Sequence, residues 1–121
     1  MSVVANAAVV VVACLHILFM VLESFLWTKP AGRRIFGLTE AKAAETASLA
    51  LNQGLYNGFL AAGLVWGLFD TRDAFGIKVF FLTCVLIAGI VGAITAKRSI
   101  LWIQAAPAAV ALVLVVLAAR M

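Results

Sequence analysis

The stretch NQGLYNG, Asn52–Gly58, places amides and a tyrosine inside a long apolar segment that runs from about Ala44 to Phe69. The chain around it has 121 residues, of which 66% are hydrophobic and 12% are charged. An ordinary soluble domain has about 25% charged residues and about half apolar ones. Because the apolar residues lie in long blocks, the composition predicts a polytopic membrane protein and argues against a soluble core.

Four apolar blocks predict four membrane-spanning helices, at about residues 3–27, 44–69, 74–96 and 100–119. The connection between the first two, residues 28–43, contains Pro30 and Gly32 and is predicted to be a loop along the membrane surface. Thr39 is the predicted N-cap of the helix that follows. The predicted fold class is all-α, with residues 1–121 forming a single transmembrane domain, an antiparallel four-transmembrane-helix bundle.

Basic residues are distributed unequally between the two sides of the predicted bundle. The first and third connections hold Lys29, Arg33, Arg34, Lys42, Lys97 and Arg98, whereas the opposite side holds Arg72, Lys78 and Arg120. Because basic loops tend to stay in the cytoplasm, this predicts a multi-pass protein whose first and third connections face the cytoplasm, with both termini outside. Lys78 is close enough to the start of its span for the ammonium to reach the surface.

The expected partners follow from the same distribution of charge. The net charge of +4 is spread over loops, and no basic cluster is dense enough for a nucleic-acid surface. Membrane lipids are therefore the expected partners, and nucleic acid is not.

Polar side chains within the predicted spans fall at similar depths. At about 1.5 Å per helical residue, they lie between about 6 and 20 Å from the cytoplasmic boundary. They are His16, Glu23, Asn52, Gln53, Tyr56, Asn57 and Gln104. Since an unpaired polar group in hydrocarbon is costly, we expect them to face the bundle interior. The sequence therefore predicts a partly polar intramembrane cavity that binds a small amphipathic or lipid-like molecule, with Asn52, Gln53, Tyr56, Asn57 and Gln104 as its ligand-binding residues.

His16 and Glu23 are the candidate catalytic residues. They are seven residues apart and so share one face of the first helix. Histidine titrates near neutral pH, and together with a carboxylate it can pass protons, polarise a carbonyl or hydroxyl group, or ligate a metal. The pair could serve an isomerase-type reaction or coupled transport. With one histidine and no HExxH or CxxC motif, no metal site is predicted, and no cofactor is indicated.

Two alternatives to ligand binding remain open. The amides can hydrogen-bond across helices purely as packing contacts, which gives a structural membrane protein. The GxxxG pairs Gly54/Gly58 and Gly63/Gly67 let another helix approach closely. If that helix belongs to a second copy, these glycine-rich faces would assemble a homo-oligomer, such as a small transporter or channel subunit.

Several residues also form a recognisable pattern: His16, Leu22-Glu23, the 52–58 run, Gly89, Gly92, Thr95, Gln104 and Pro107. This pattern resembles the DUF1304 family of small bacterial membrane proteins over nearly the whole chain. The resemblance implies a four-helix inner-membrane protein of uncharacterised activity. A looser similarity is to four-helix sterol-binding and isomerising membrane proteins, which also line a cavity with His, Glu and Asn; that similarity is an analogy of architecture.

Overall fold

A computed structural model describes residues 2–121 of the chain. The helices are α1 (Ser2–Ser24), α2 (Pro30–Phe36), α3 (Glu40–Phe69), α4 (Ala74–Thr95), a π-helical turn (Leu101–Ala105) and α5 (Ala106–Ala119). The structure is 86% helical, and the described residues contain no strand. The predicted all-α class is confirmed.

Three helical segments are long and apolar enough to cross a membrane: α1, α4 and Leu101–Ala119. Helix α3 is not among them, although its 30 residues make it about 45 Å long. The charged and amide side chains of Glu40–Asn57 lower its hydropathy. The structure therefore supports a membrane protein, while the antiparallel four-helix bundle stays a prediction.

The predicted surface loop contains a short helix, so that prediction is wrong over residues 30–36. Helix α1 ends at Ser24, and α2 then begins at Pro30, because proline fits the first helical turn, where its missing N–H is not needed. Gly37 ends α2 with a φ of 64°, a left-handed conformation that favours glycine. At the start of α3, the Lys42 N–H donates to Thr39 Oγ1 at 3.1 Å, which confirms the predicted cap.

The chain forms two compact units. The first comprises the chain up to Leu15 together with Leu60–Met121, and the second comprises His16–Phe59. The core of the first unit consists of buried aliphatic side chains: Val9, Val12, Leu64, Leu82, Val85, Ala108, Ala111 and Val115. In this unit α4 packs against the π-helical turn and α5. This division into two units does not test the prediction of a single transmembrane domain.

The π-helical turn has a local cause in Pro107. The Ala106 N–H donates to the Leu101 carbonyl, five residues back, and the wider turn relieves the clash that proline causes inside a regular helix. Opposite it, a Cβ added at Gly89 would lie 2.8 Å from the Ala105 nitrogen. Glycine at this position therefore lets the backbones of α4 and the π-helical turn approach closely.

Candidate functional site

Helices α1 and α3 come together closely within the His16–Phe59 unit. A Cβ added at Gly54 would lie 2.0 Å from Ser24 Oγ and 3.0 Å from the Ser24 nitrogen. A Cβ added at Gly58 would lie 2.8 Å from Met20 Sδ. The Ser24 hydroxyl donates to the Leu51 carbonyl at 3.4 Å. The glycines of the NQGLYNG stretch are thus used for packing inside this chain.

This close approach brings together two of the predicted site residues, Glu23 and Asn57. Asn57 Nδ2 donates to Glu23 Oε1 at 2.5 Å, and both side chains are half-buried. A carboxylate offers about four acceptor positions, so Glu23 can accept further hydrogen bonds besides the one from Asn57. The pair is a polar contact between α1 and α3.

Three other predicted site residues of α3 lie outside its contact with α1. Asn52 and Gln53 are exposed, and Tyr56 is 58% exposed. The sequence led us to expect these side chains inside the bundle, and in the structure they point outward. The reason is that the face packed on α1 carries small residues, with Ala50 and Gly54 both buried, and at about 100° per residue this face is opposite Asn52. Close helix packing here depends on small side chains rather than on amides.

His16 is the one polar side chain among residues 2–121 that is fully buried. Its ring meets Phe19 edge-on, with the ring centroids 5.3 Å apart. His16 lies about 10 Å along α1 from Glu23, and Met20, between them in sequence, lies against Gly58. The two candidate catalytic residues therefore have different surroundings, an aromatic ring for His16 and an amide for Glu23.

Gln104 belongs to the other unit, where it joins two helical segments. Its Nε2 donates to the Val85 carbonyl of α4 at 3.1 Å, a contact of the kind that holds helices together in membranes. Its role in ligand binding stays a prediction. No group of three or more His, Cys, Asp or Glu side chains within residues 2–121 is placed to hold a metal ion.

The sequence did not reveal the polar contacts around Trp27. Trp27 Nε1 donates to Thr46 Oγ1 at 3.0 Å, and the Thr46 hydroxyl donates to the Lys42 carbonyl at 2.8 Å. The Trp27 ring also contacts Phe36, with centroids 4.8 Å apart. These contacts attach the α1–α2 connection to the start of α3. No motif links these positions, so single-sequence reasoning had no signal for them.

Comparison with known proteins agrees with the resemblance seen in the sequence. Residues 10–116 match the family described as "Protein of unknown function (DUF1304)". The chain belongs to the DUF1304 family. It is also similar to the uncharacterized protein YpaA of Lactococcus lactis subsp. lactis (strain IL1403), with 28% identity over 96 residues that cover 78% of this chain and 81% of that protein. No solved structure matches the chain.

Family membership and three apolar helices together establish a DUF1304 protein of the membrane class. The region matched by the family includes His16, Glu23 and the whole NQGLYNG stretch. The family description names no reaction, so the chemistry has to be argued from these side chains themselves.

Proposed function

We propose that this DUF1304 protein binds a small amphipathic or lipid-like molecule at the contact between α1 and α3. The observation that carries the proposal is the Glu23–Asn57 hydrogen bond, together with the exposed amides of Asn52 and Gln53 on the same helix. Polar side chains are costly at a hydrocarbon-facing surface unless something pairs with them. A bound polar headgroup supplies that pairing.

The side chains indicate a neutral headgroup. The Glu23 carboxylate repels anions and accepts hydrogen bonds, while the amides and the Tyr56 hydroxyl both donate and accept. A hydroxyl- or amide-bearing headgroup satisfies all of these groups. Exposed apolar side chains on α3, Leu55 and Phe59, offer a surface for an acyl or ring-shaped tail.

His16 and Glu23 remain the candidates for proton transfer in this proposal. They are ionisable groups on one helix, and structural packing alone does not require a fully buried histidine such as His16. An isomerase-type reaction or proton-coupled transport would each use such a pair. We place the site in an antiparallel four-helix bundle of the inner membrane, with both termini outside. The distribution of basic residues supports this topology, and so does the length of α3, about 45 Å against a hydrocarbon core of about 30 Å.

Photocrosslinking tests the proposal. The probe is a monoacylglycerol with a diazirine and an alkyne in its acyl chain, added to the protein in phosphatidylcholine vesicles. Wild type should be labelled within residues 16–59. The double variant Asn52→Leu/Gln53→Leu should lose about tenfold of this labelling, since two hydrogen bonds at about 0.5–1.5 kcal/mol each are removed. Because both side chains are exposed, the packing of α3 on α1 should survive.

The matched control for this experiment is Leu51→Ala. Leu51 is also exposed on α3, but its side chain is apolar and makes no hydrogen bond. Its replacement should therefore leave the labelling unchanged. Equal labelling of wild type and the double variant would refute the proposal, as would an equal loss in the control.

A second candidate function is a subunit of an oligomeric small transporter or channel. It is favoured by the outward-facing stripe of polar side chains on α3, made of Glu45, Ser48, Asn52 and Tyr56. The glycines first expected to form the interface contact helices of this chain, so assembly would use this stripe instead. Native mass spectrometry in a mild detergent separates the candidates, because a strict monomer contradicts the oligomer.

A further inference from the structure

A cavity of about 240 Å³ lies in the first unit, outside the α1–α3 contact. The first turns of α1 and α4 and the last turn of α5 line it. Its apolar lining consists of four alanines together with Phe75 and Val115, and its polar groups come from Ser2, Asn6 and Lys78. Among residues 2–121, Lys78 is the one charged side chain that lines the cavity.

Lys78 is held in place instead of extending freely to the surface. Its Nζ donates to Asn6 Oδ1 at 2.9 Å. A Cβ added at Gly67 would lie 2.7 Å from Lys78 Cγ, so the lysine stem runs along the backbone of α3. The ammonium is thereby fixed at the cavity wall by groups from two other helices.

The partner of this ammonium is neutral, so its charge is not compensated by the contact. The nearest carboxylates in sequence bind the backbone instead. Asp73 Oδ1 accepts from the Gly76 N–H at 3.2 Å, and Asp70 Oδ2 accepts from the Asp73 N–H at 2.7 Å. Within residues 2–121 the hydrogen-bond partner of this ammonium is the neutral Asn6 amide, and a cation in such a cavity is suited to an anionic ligand.

The position of Lys78 along its helix indicates where that anion comes from. Lys78 lies four residues after the start of α4, about 6 Å along the axis. The 22 residues of α4 span about 33 Å, close to the hydrocarbon core of about 30 Å. A spanning α4 therefore places the Lys78 backbone about one turn inside the core boundary, from where the long side chain can bring its ammonium toward the lipid phosphates. The first turns of α1 and α4 add positive partial charge there, and the last turn of α5 adds a smaller opposing contribution.

We propose that this cavity binds the phosphate of an anionic phospholipid. The Lys78 ammonium pairs with the phosphate, Asn6 positions the ammonium, and the Ser2 hydroxyl can donate a further hydrogen bond. The volume is below the roughly 300 Å³ of sites that enclose a whole small ligand. It therefore suits a headgroup whose acyl chains remain in the bilayer. The inference uses different residues from the α1–α3 site and does not depend on the function proposed there.

Lipid retention tests this site. The full chain is reconstituted in nanodiscs with equal amounts of phosphatidylglycerol and phosphatidylcholine, and native mass spectrometry counts the lipids that stay bound. Wild type should retain phosphatidylglycerol preferentially. Lys78→Met keeps the stem and removes the charge, and it should reduce this preference by at least about tenfold, because a charge-assisted hydrogen bond to the phosphate is lost. Lys78→Arg should retain most of the preference.

The matched control is Lys97→Met, which removes one positive charge from an exposed turn outside the cavity. An equal loss in this control would refute the site, because the preference would then reflect net charge alone. Displacement of the lipid by millimolar inorganic phosphate would refute the phospholipid as the source of the anion. If Lys78→Met does not fold, wild type still decides the question, since equal retention of both lipids overturns the proposal.

Discussion

The two units of this protein each hold one ionisable side chain with an asparagine from another helix. In the His16–Phe59 unit, Asn57 of α3 donates to the Glu23 carboxylate. In the other unit, Asn6 of α1 accepts from the Lys78 ammonium. The amide is neutral in both pairs, so each site keeps its own charge: negative at Glu23 and positive at Lys78.

The surroundings of the two pairs differ as much as their charges. Glu23–Asn57 lies where glycines bring two helices into contact, with further amides exposed on α3. Lys78–Asn6 lies at the wall of a cavity lined by alanines together with Phe75 and Val115. A carboxylate with neighbouring amides favours a neutral hydroxyl-bearing headgroup, and an ammonium paired with a neutral amide favours a phosphate. Under the two proposals above, this protein would distinguish two classes of lipid.

The largest expected effect comes from Gly54, on which the Glu23–Asn57 contact depends. Gly54→Val should destabilise the protein by about 3 kcal/mol, near the upper end for overpacked sites, because even a Cβ would meet Ser24 at 2.0 Å. Thermal unfolding in detergent measures this loss. Gly58→Ala is the control, since its Cβ would meet the flexible end of Met20. An equal loss in both variants would contradict the packing described for α1 and α3.

The next effect concerns the amide of Asn57 itself. Asn57→Leu should cost about 1–3 kcal/mol, because it leaves a half-buried carboxylate without its hydrogen-bond donor. A double-mutant cycle with Glu23→Met, which removes the acceptor, should show a coupling of at least about 0.5 kcal/mol. Strict additivity of the two changes would mean that the hydrogen bond does not contribute to stability.

Much of the fold could be predicted from the sequence, because the features that determine it are local. The apolar blocks, the Thr39 cap and the break after Phe69 are signals carried by neighbouring residues. The partner of Glu23 could not be predicted, because it depends on how α1 and α3 are rotated about their axes. In the NQGLYNG stretch, the amides and the glycines predict different rotations of α3 about its axis. The amides predict that their own face turns inward, whereas close packing on α1 requires the small residues, and so Asn52, Gln53 and Tyr56 are exposed.

When anionic lipid is absent, replacing Lys78 should lower the free energy of unfolding less than replacing Asn57. In phosphatidylcholine alone, Lys78→Met should change the free energy of unfolding by only about 0.5–1.5 kcal/mol, the range for one hydrogen bond. With phosphatidylglycerol added, the wild type should gain stability over the variant, because lipid binding stabilises the folded state. Thermal unfolding in the two lipids measures the difference. A gap that is the same in both lipids would remove the reason for treating Lys78 as a binding group.

The smallest expected effect involves Asp70. Its surface carboxylate accepts hydrogen bonds from backbone N–H groups, whereas Glu23 is paired with an asparagine side chain. The backbone N–H groups of Asp73 and Arg72 hold the pKa of Asp70 below its ordinary value. A lowered folded-state pKa contributes stability above the unfolded-state pKa of about 3.9, and this contribution is lost as the pH falls through the folded-state value. The protection factors of the backbone amides in the 70–73 turn, which compare their exchange rates with those of an unstructured chain at the same pH, should therefore fall below about pH 4. The Asp70→Asn variant should lack this dependence, and an identical pH profile in the variant would assign it to another group.

The central claim is that the two sites prefer different lipid headgroups, one neutral and one anionic. Its most direct test is a crosslinking experiment with two probes. Diazirine-bearing monoacylglycerol and diazirine-bearing phosphatidylglycerol are added separately to the wild-type protein in phosphatidylcholine vesicles, and the labelled peptides are mapped. The neutral probe should label residues 16–59, and the anionic probe should label the first turns of α1 and α4. Identical labelling patterns for the two probes would contradict the account.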